Sequence, residues 1–326
     1  MRESLMKRCE SFVFNKDVAK STFKWDSQLI IPVCASVLTD AGVQGDKDTL
    51  LKCKKILEEA TGVFSNFRGN VKAPMVTMLS VSNAPEDKMA KTVQVYDILK
   101  KHFKRTEYLA YVAAVLADMV PVEKAEKYAV RGSNIYELMK QQHPFLTSGE
   151  DSVFAVLMAF SDKLDSELVN DMEAAYKLLK EYFRDSNSVQ SVSQVFALSE
   201  GDTAEKCKRL VELYEALKAA DKKYGKYYEL AVLASLSLLP VEIDELVKDI
   251  AEVDDYLANQ KGYGILGIDK KTRLMHAAMI VTSDYSKDSN SKVAAITGTL
   301  AMVAAQQAAM CAVIAASAAS AVASSN

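Results

Sequence analysis

Apolar and polar positions alternate along this chain in two kinds of segment. The first kind is amphipathic and recurs with one order of residue types. It appears as Val95-Tyr96-Asp97-Ile98-Leu99-Lys100, Ile135-Tyr136-Glu137-Leu138-Met139-Lys140, Ala175-Tyr176-Lys177-Leu178-Leu179-Lys180 and Leu213-Tyr214-Glu215-Ala216-Leu217-Lys218. Spacings of three and four gather the apolar members on one helix face and leave Lys and Glu on the other. Tyr96, Tyr136, Tyr176 and Tyr214 are 40, 40 and 38 residues apart, and a degenerate fifth copy spans Val253 to Leu257. Between the copies lie stretches with few charges, at 68–81, 105–119, 148–161, 187–199, 225–239 and 269–283. A helix that is apolar most of the way round is buried on more than one side.

One half-exposed and one buried helix per period predicts an all-α, solenoid-like array of about six helix pairs. An earlier pair at 26–39 and 46–60 starts it, with Gly42 and Gly45 in the turn, and residues 1–24 form an N-terminal cap. The joints agree. Pro85, Pro121 and Pro240 stand near helix starts with acids just after them, where a proline lacks no needed N–H and a carboxylate meets the positive end of the helix dipole. Thr147 with Glu150, and Ser148 with Asp151, have the spacing of capping boxes. Only 12 glycines and 6 prolines occur in 326 residues, too few for a series of β-hairpins.

The pattern changes after residue 283. A polar loop is expected at 284–291, followed by an Ala-rich segment at 292–326 with no charge beyond Lys292. Its length would span a bilayer, but Ala is weakly apolar and Gln306-Gln307 lie near its middle. The expectation is a C-terminal helix whose stripe of Ile296, Leu300, Val303, Gln307, Met310 and Ile314 packs on the array. Alternatively, the stripe joins this chain to another.

Composition narrows the function classes. A net charge of −3 gives no general pull toward nucleic acid. The five cysteines are odd in number and form no CxxC pair, which suits reduced thiols in a cytoplasmic protein. No signal-peptide core follows Met1.

Three stretches carry a likeness: Thr61-Gly62-Val63-Phe64-Ser65-Asn66-Phe67-Arg68-Gly69, His143-Pro144-Phe145-Leu146-Thr147-Ser148-Gly149-Glu150-Asp151, and Ala304-Ala305-Gln306-Gln307-Ala308-Ala309-Met310. In these the chain resembles an uncharacterised bacterial family, domain of unknown function 4003. The resemblance implies a bacterial source and a tail that belongs to the protein, and it brings no activity with it.

Candidate chemistry is sparse. His143, Glu150 and Asp151 are the best polar cluster; an imidazole and two carboxylates can hold a ligand or share a proton. Helix capping accounts for the same residue types. Arg68, beside Gly69 and Asn70, suits an anion at a helix start or an ion pair with a neighbouring acid. His102 and His276 stand alone, and Gly262 to Gly267 lacks the strand context of a nucleotide loop. Cys53 and Cys207, near lysines, are expected to be exposed surface thiols.

Bases gather in the joints after the Tyr helices: Lys100, Lys101, Lys104 and Arg105; Arg184; Lys222, Lys223 and Lys226; Lys270, Lys271 and Arg273. Acids gather in the opposite joints. Dipole complementation explains this, and so does an edge that meets a polyanion, with Phe103, Phe183, Tyr224, Tyr227 and Tyr228 as stacking rings. The leading expectation is a non-enzymatic scaffold for a protein or peptide partner, with self-association through the C-terminal helix as a second route. No catalytic residue, metal or cofactor is expected, and neither nucleic acid nor membrane is an expected partner.

Overall fold

The computed structural model describes residues 1–24, 26–263 and 267–287. Among these the chain is all-helical, with fourteen α-helices and no strand. They are α1 (Glu3–Thr22), α2 (Ile30–Asp40), α3 (Lys47–Ala60), α4 (Lys72–Ser80), α5 (Pro85–Leu99), α6 (Glu107–Met119), α7 (Val122–Gln142), α8 (Asp151–Met158), α9 (Asp165–Lys180), α10 (Ser186–Ala197), α11 (Thr203–Ala219), α12 (Leu230–Ser237), α13 (Ile243–Ala258) and α14 (Lys270–Lys287). None is long and apolar enough to cross a membrane.

The described residues form two compact units. The first holds residues 12–162. Here α3, α5 and α7 lie side by side, α2 packs on α4 and α6 on α8, and each of α3, α5 and α7 packs on the helix that follows it. The second holds residues 163–287 together with 1–11. In it α9, α11 and α13 are neighbours, as are α10, α12 and α14, again with each helix of the first set on its successor.

The two sequence patterns separate the two sets of helices. In α8 and α12 every residue is buried, and in α6 every residue from Leu109 to Ala117. The Tyr-bearing helices bury one stripe only, such as Leu168, Val169, Met172, Ala175 and Leu179 in α9. The tyrosines mark a repeated contact. Tyr96 stands edge-on to Phe67, Tyr136 to Phe103 and Tyr214 to Phe183, with ring centroids 5.0, 5.9 and 5.3 Å apart. Each pairs with a ring from the joint before the preceding buried helix, an arrangement aromatic quadrupoles favour. Phe103 and Phe183 are therefore buried packing rings, as is Tyr224.

Helix starts follow their caps. Asp46, Thr106, Asp185 and Asp202 accept from backbone N–H groups three residues on, Pro85 opens α5, and Pro121 precedes α7. At α8 only half of one expected capping box forms. The Asp151 carboxylate accepts from the Ser148 N–H at 2.6 Å, while the Thr147 hydroxyl is buried with no hydrogen-bond partner among the described residues, because α8 begins at Asp151 and the residues before it form turns.

The cysteines require a correction. Cys9, Cys34, Cys53 and Cys207 are all free and buried. Cys53 shares the inward stripe of α3 with Leu50 and Leu57, and Cys207 that of α11 with Leu210 and Tyr214, while Lys52 and Lys208 beside them are exposed. Burial pushes Cys9 and Cys34 up to about 12 and Cys207 to about 11, which keeps the thiols protonated and unreactive.

Helix α14 runs on to Lys287, four residues into the expected polar loop. Its extension is tied down: Asp284 pairs with Arg2 and Arg8, and the Tyr285 hydroxyl donates to Asp249 and Glu245. The expected C-terminal helix with Ile296, Leu300, Val303, Gln307, Met310 and Ile314 lies outside the described residues, as does Cys311.

Candidate functional site

His143, Glu150 and Asp151 all fall on the joint between α7 and α8. His143 ends α7, its N–H donating to the Met139 carbonyl. Asp151 is buried and fixes the Ser148 backbone. Glu150 is part-buried, and burial, reinforced by the neighbouring Asp151 charge, raises it from 4.5 to about 7. Glu150 and Asp151 thus form an adjacent acid pair in which one member holds its proton near neutrality. Among the described residues no group of three or more His, Cys, Asp or Glu side chains is arranged to hold a metal ion.

Arg68 closes a helix. Its guanidinium donates to the carbonyls of Glu58 (2.7 Å) and Thr61 (2.9 Å) and to the Thr61 hydroxyl (3.2 Å), and it pairs with the Glu58 carboxylate. These atoms cap the C-terminal end of α3, where orphan carbonyls favour a cation. Next to it, the Glu107 carboxylate accepts from the Asn70 N–H at 2.8 Å, and a Cβ at Gly69 would collide with that carboxylate.

A set of cations that the hydropathy pattern does not flag does the same work elsewhere. Arg131 donates from α7 to the carbonyls of Ala159 (3.1 Å) and Ser161 (2.6 Å), beyond the end of α8. Arg209 donates from α11 to those of Ser237 (2.7 Å), the last residue of α12, and of Leu239 (2.8 Å) and Val241 beyond it. Both arginines stand five residues before their repeat tyrosine. In the copy between them that position is Asp171, which pairs with Lys163 at 2.6 Å, and Lys163 reaches the Ala197 carbonyl at the end of α10. The shared register relative to the tyrosine was the available signal.

Lys206 also serves α10, donating to the carbonyls of Phe196 (2.7 Å) and Ser199 (3.2 Å). Burial, with Lys163 nearby, lowers it to about 8. It lines a cavity of about 320 Å³ with Glu200, Asp202, Glu205 and Arg209, but its ammonium is directed at the helix end. Two further knots hold the second unit. Buried Asp254 meets Lys222 at 2.9 Å and Arg273 at 2.7 Å. Asp249 takes Arg2 at 2.7 Å and the Tyr285 hydroxyl at 2.8 Å. His102 contacts Glu126 at 2.7 Å, and buried His276 contacts the Tyr263 hydroxyl at 3.0 Å.

The joint bases differ between the units. In the second unit Lys222, Lys223 and Arg273 are ion-paired, and Lys270 reaches the Asp221 carbonyl. In the first unit Lys100 pairs with Asp97, whereas Lys101, Lys104 and Arg105 are exposed and have no ion pair among the described residues. On the flanking joints Phe64 and Phe145 are fully exposed and Val63 largely so.

Comparison with known proteins gives one match. The model of a family described as Protein of unknown function (DUF4003) matches residues 15–317. No curated protein and no solved structure matches the chain.

Proposed function

Since the chain belongs to that family of unknown function, we propose its role from its own geometry: a non-enzymatic scaffold that binds a protein or peptide partner. In this reading the helices are repeats of about 40 residues stacked as a solenoid-like array, and the layer of Tyr-bearing helices offers the extended surface. One observation carries it. The buried ions and the recurrent cations are committed to helix ends and helix-to-helix ties, as Arg131, Arg209, Lys163 and Asp254 illustrate, and Lys206 and Arg209, which line the cavity with Glu200, Asp202 and Glu205, donate to backbone carbonyls at helix ends. We place the protein in the cytoplasm on the strength of its free thiols.

The test is affinity capture from lysate of the source cell with the full chain, followed by titration of each captured protein against the purified chain. A saturable, stoichiometric partner whose crosslinks map to the exposed faces of α5, α7, α9, α11 or α13 supports the scaffold. Capture that never survives purification counts against it.

A ligand site at His143, Glu150 and Asp151 is the second reading, favoured by the proton held on Glu150. It requires that replacing all three by Ala, Gln and Asn abolish binding of a small molecule found by screening. Unchanged binding removes it.

A further inference from the structure

Three joints of the first unit, those after α3, α5 and α7, are stitched into one edge. The joint at 61–71 is held to the next through Asn70 and Glu107 and through Phe67 and Tyr96. The joint at 100–106 is held to the one after it: Gly149 sits against Thr106, and the Tyr136 hydroxyl donates to the Ser148 carbonyl while its ring packs on Phe103. Along this edge stand Phe64, then Lys101, Lys104 and Arg105, then Phe145. Within the three joints Glu150 and Asp151 stand against five Lys and Arg, of which Arg68 and Lys100 are paired with Glu58 and Asp97.

Phe64 and Phe145 are completely exposed, and Val63 beside Phe64 is largely so, so the edge carries apolar side chains that the core does not use. Full exposure also means that no protein wall flanks either ring. They sit on separate joints beyond α3 and α7, two helix spacings or roughly 20 Å apart. A protein partner would need two pockets at that separation. A lipid headgroup layer accepts protruding rings at any spacing, provided they share a plane, and anionic lipid attracts the bases between them.

We propose that this edge docks on the surface of a bilayer carrying anionic phospholipid, with Phe64 and Phe145 entering the headgroup region and Lys101, Lys104 and Arg105 facing the lipid phosphates. This is a surface contact and not a span, and it is independent of the scaffold reading: a scaffold without a lipid surface, or the reverse, is each coherent. The wider polyanion edge expected from the sequence narrows here to the first unit, where the bases stand between the two exposed phenylalanines; in the second unit Lys222 and Arg273 are tied to buried Asp254.

The test is flotation of the full chain with vesicles of phosphatidylcholine alone or mixed with phosphatidylglycerol. Binding is expected to the mixed vesicles only and to weaken with salt. The double variant F64S/F145S is expected to lose on the order of tenfold per ring. The triple variant K101E/K104E/R105E loses at least roughly fivefold per charge removed. All five side chains are exposed, so circular dichroism should be unchanged. As a second measurement, F145W in a chain carrying Trp25→Phe should shift its emission to the blue when mixed vesicles are added. No flotation of the native chain overturns the proposal. So does flotation that survives both sets of substitutions, which assigns the contact to residues 292–326. Binding of oligonucleotide or acidic protein through the three bases, with the phenylalanines immaterial, also overturns it.

Discussion

Replacing Glu150 by Gln should stabilise the protein near pH 8 and leave it unchanged near pH 4. The folded chain raises Glu150 from 4.5 to about 7, through burial first and the Asp151 charge second. A group raised on folding contributes stability that is fully present below its unfolded value and is lost as pH rises through its folded value. Between about 4.5 and 7 the native state binds the extra proton, so stability falls with pH. The interval corresponds to about 3 kcal/mol at ~1.36 kcal/mol per unit, and residual solvent contact reduces that to roughly 1–3 kcal/mol. Gln keeps the shape of Glu and carries no charge to desolvate. The assay is denaturant unfolding of both proteins across this range, taking the difference at each pH so that other carboxylates cancel. A difference that does not vary with pH would falsify the electrostatic account. A variant less stable than the parent at pH 8 would show instead that the ionised carboxylate makes a bond the fold depends on.

The remaining predictions concern packing and ion pairs. Gly132→Val should cost about 1–3 kcal/mol or more by thermal unfolding, because a Cβ there would lie 3.1 Å from the Val156 Cα and 3.2 Å from the Ala155 carbonyl; an unchanged melting temperature would show that α7 and α8 separate freely. Asp254→Ala strands Arg273, leaves Lys222 with Asp255 alone, and should cost about 3–5 kcal/mol in a urea titration, and a loss below about 1 kcal/mol would mean that water replaces the carboxylate. Arg209→Met should cost about 1–3 kcal/mol and raise amide exchange around α12; exchange confined to other helices would refute the capping role. In a Cys311→Ser chain the four remaining thiols should resist a thiol reagent until denaturant is added, and rapid labelling of native protein would contradict their burial.

Most of the helices were legible in the sequence because two periodicities and few breakers define them. The expected stretches 105–119, 187–199 and 46–60 correspond closely to α6, α10 and α3, since apolar spacing and capping residues agree there. The cysteines were not legible from their lysine neighbours: one residue along a helix turns the side chain by about 100°, so sequence proximity to Lys52 or Lys208 says nothing about burial. Reading Cys53 with Leu50 and Leu57 gives the buried face. Gly132 was silent because a glycine inside a helix shows no partner until the crossing of α7 and α8 is known. The exposure of Phe64 and Phe145 was equally hidden, since an aromatic residue in a short joint packs inward in the cases of Phe67, Phe103 and Phe183.

The candidate site was harder to read than the fold, and the reason lies in the buried helices. α8 and α12 are eight residues each, and the last four carbonyls of any helix lack an intrahelical partner. Half of the carbonyls of such a helix therefore end in a buried place where water does not serve them, and turns and outside donors must replace it. Arg131 and Arg209 supply those donors from one register, and Asp171 with Lys163 supplies the equivalent in the copy between. Polar residues at recurring register thus answer to stacking, and a cluster such as His143, Glu150 and Asp151 at a joint has capping as its first explanation. Function is then to be sought among side chains that serve no neighbour. In the first unit Phe64, Phe145, Lys101, Lys104 and Arg105 are among them, exposed on one edge, where none closes a helix or fills the core.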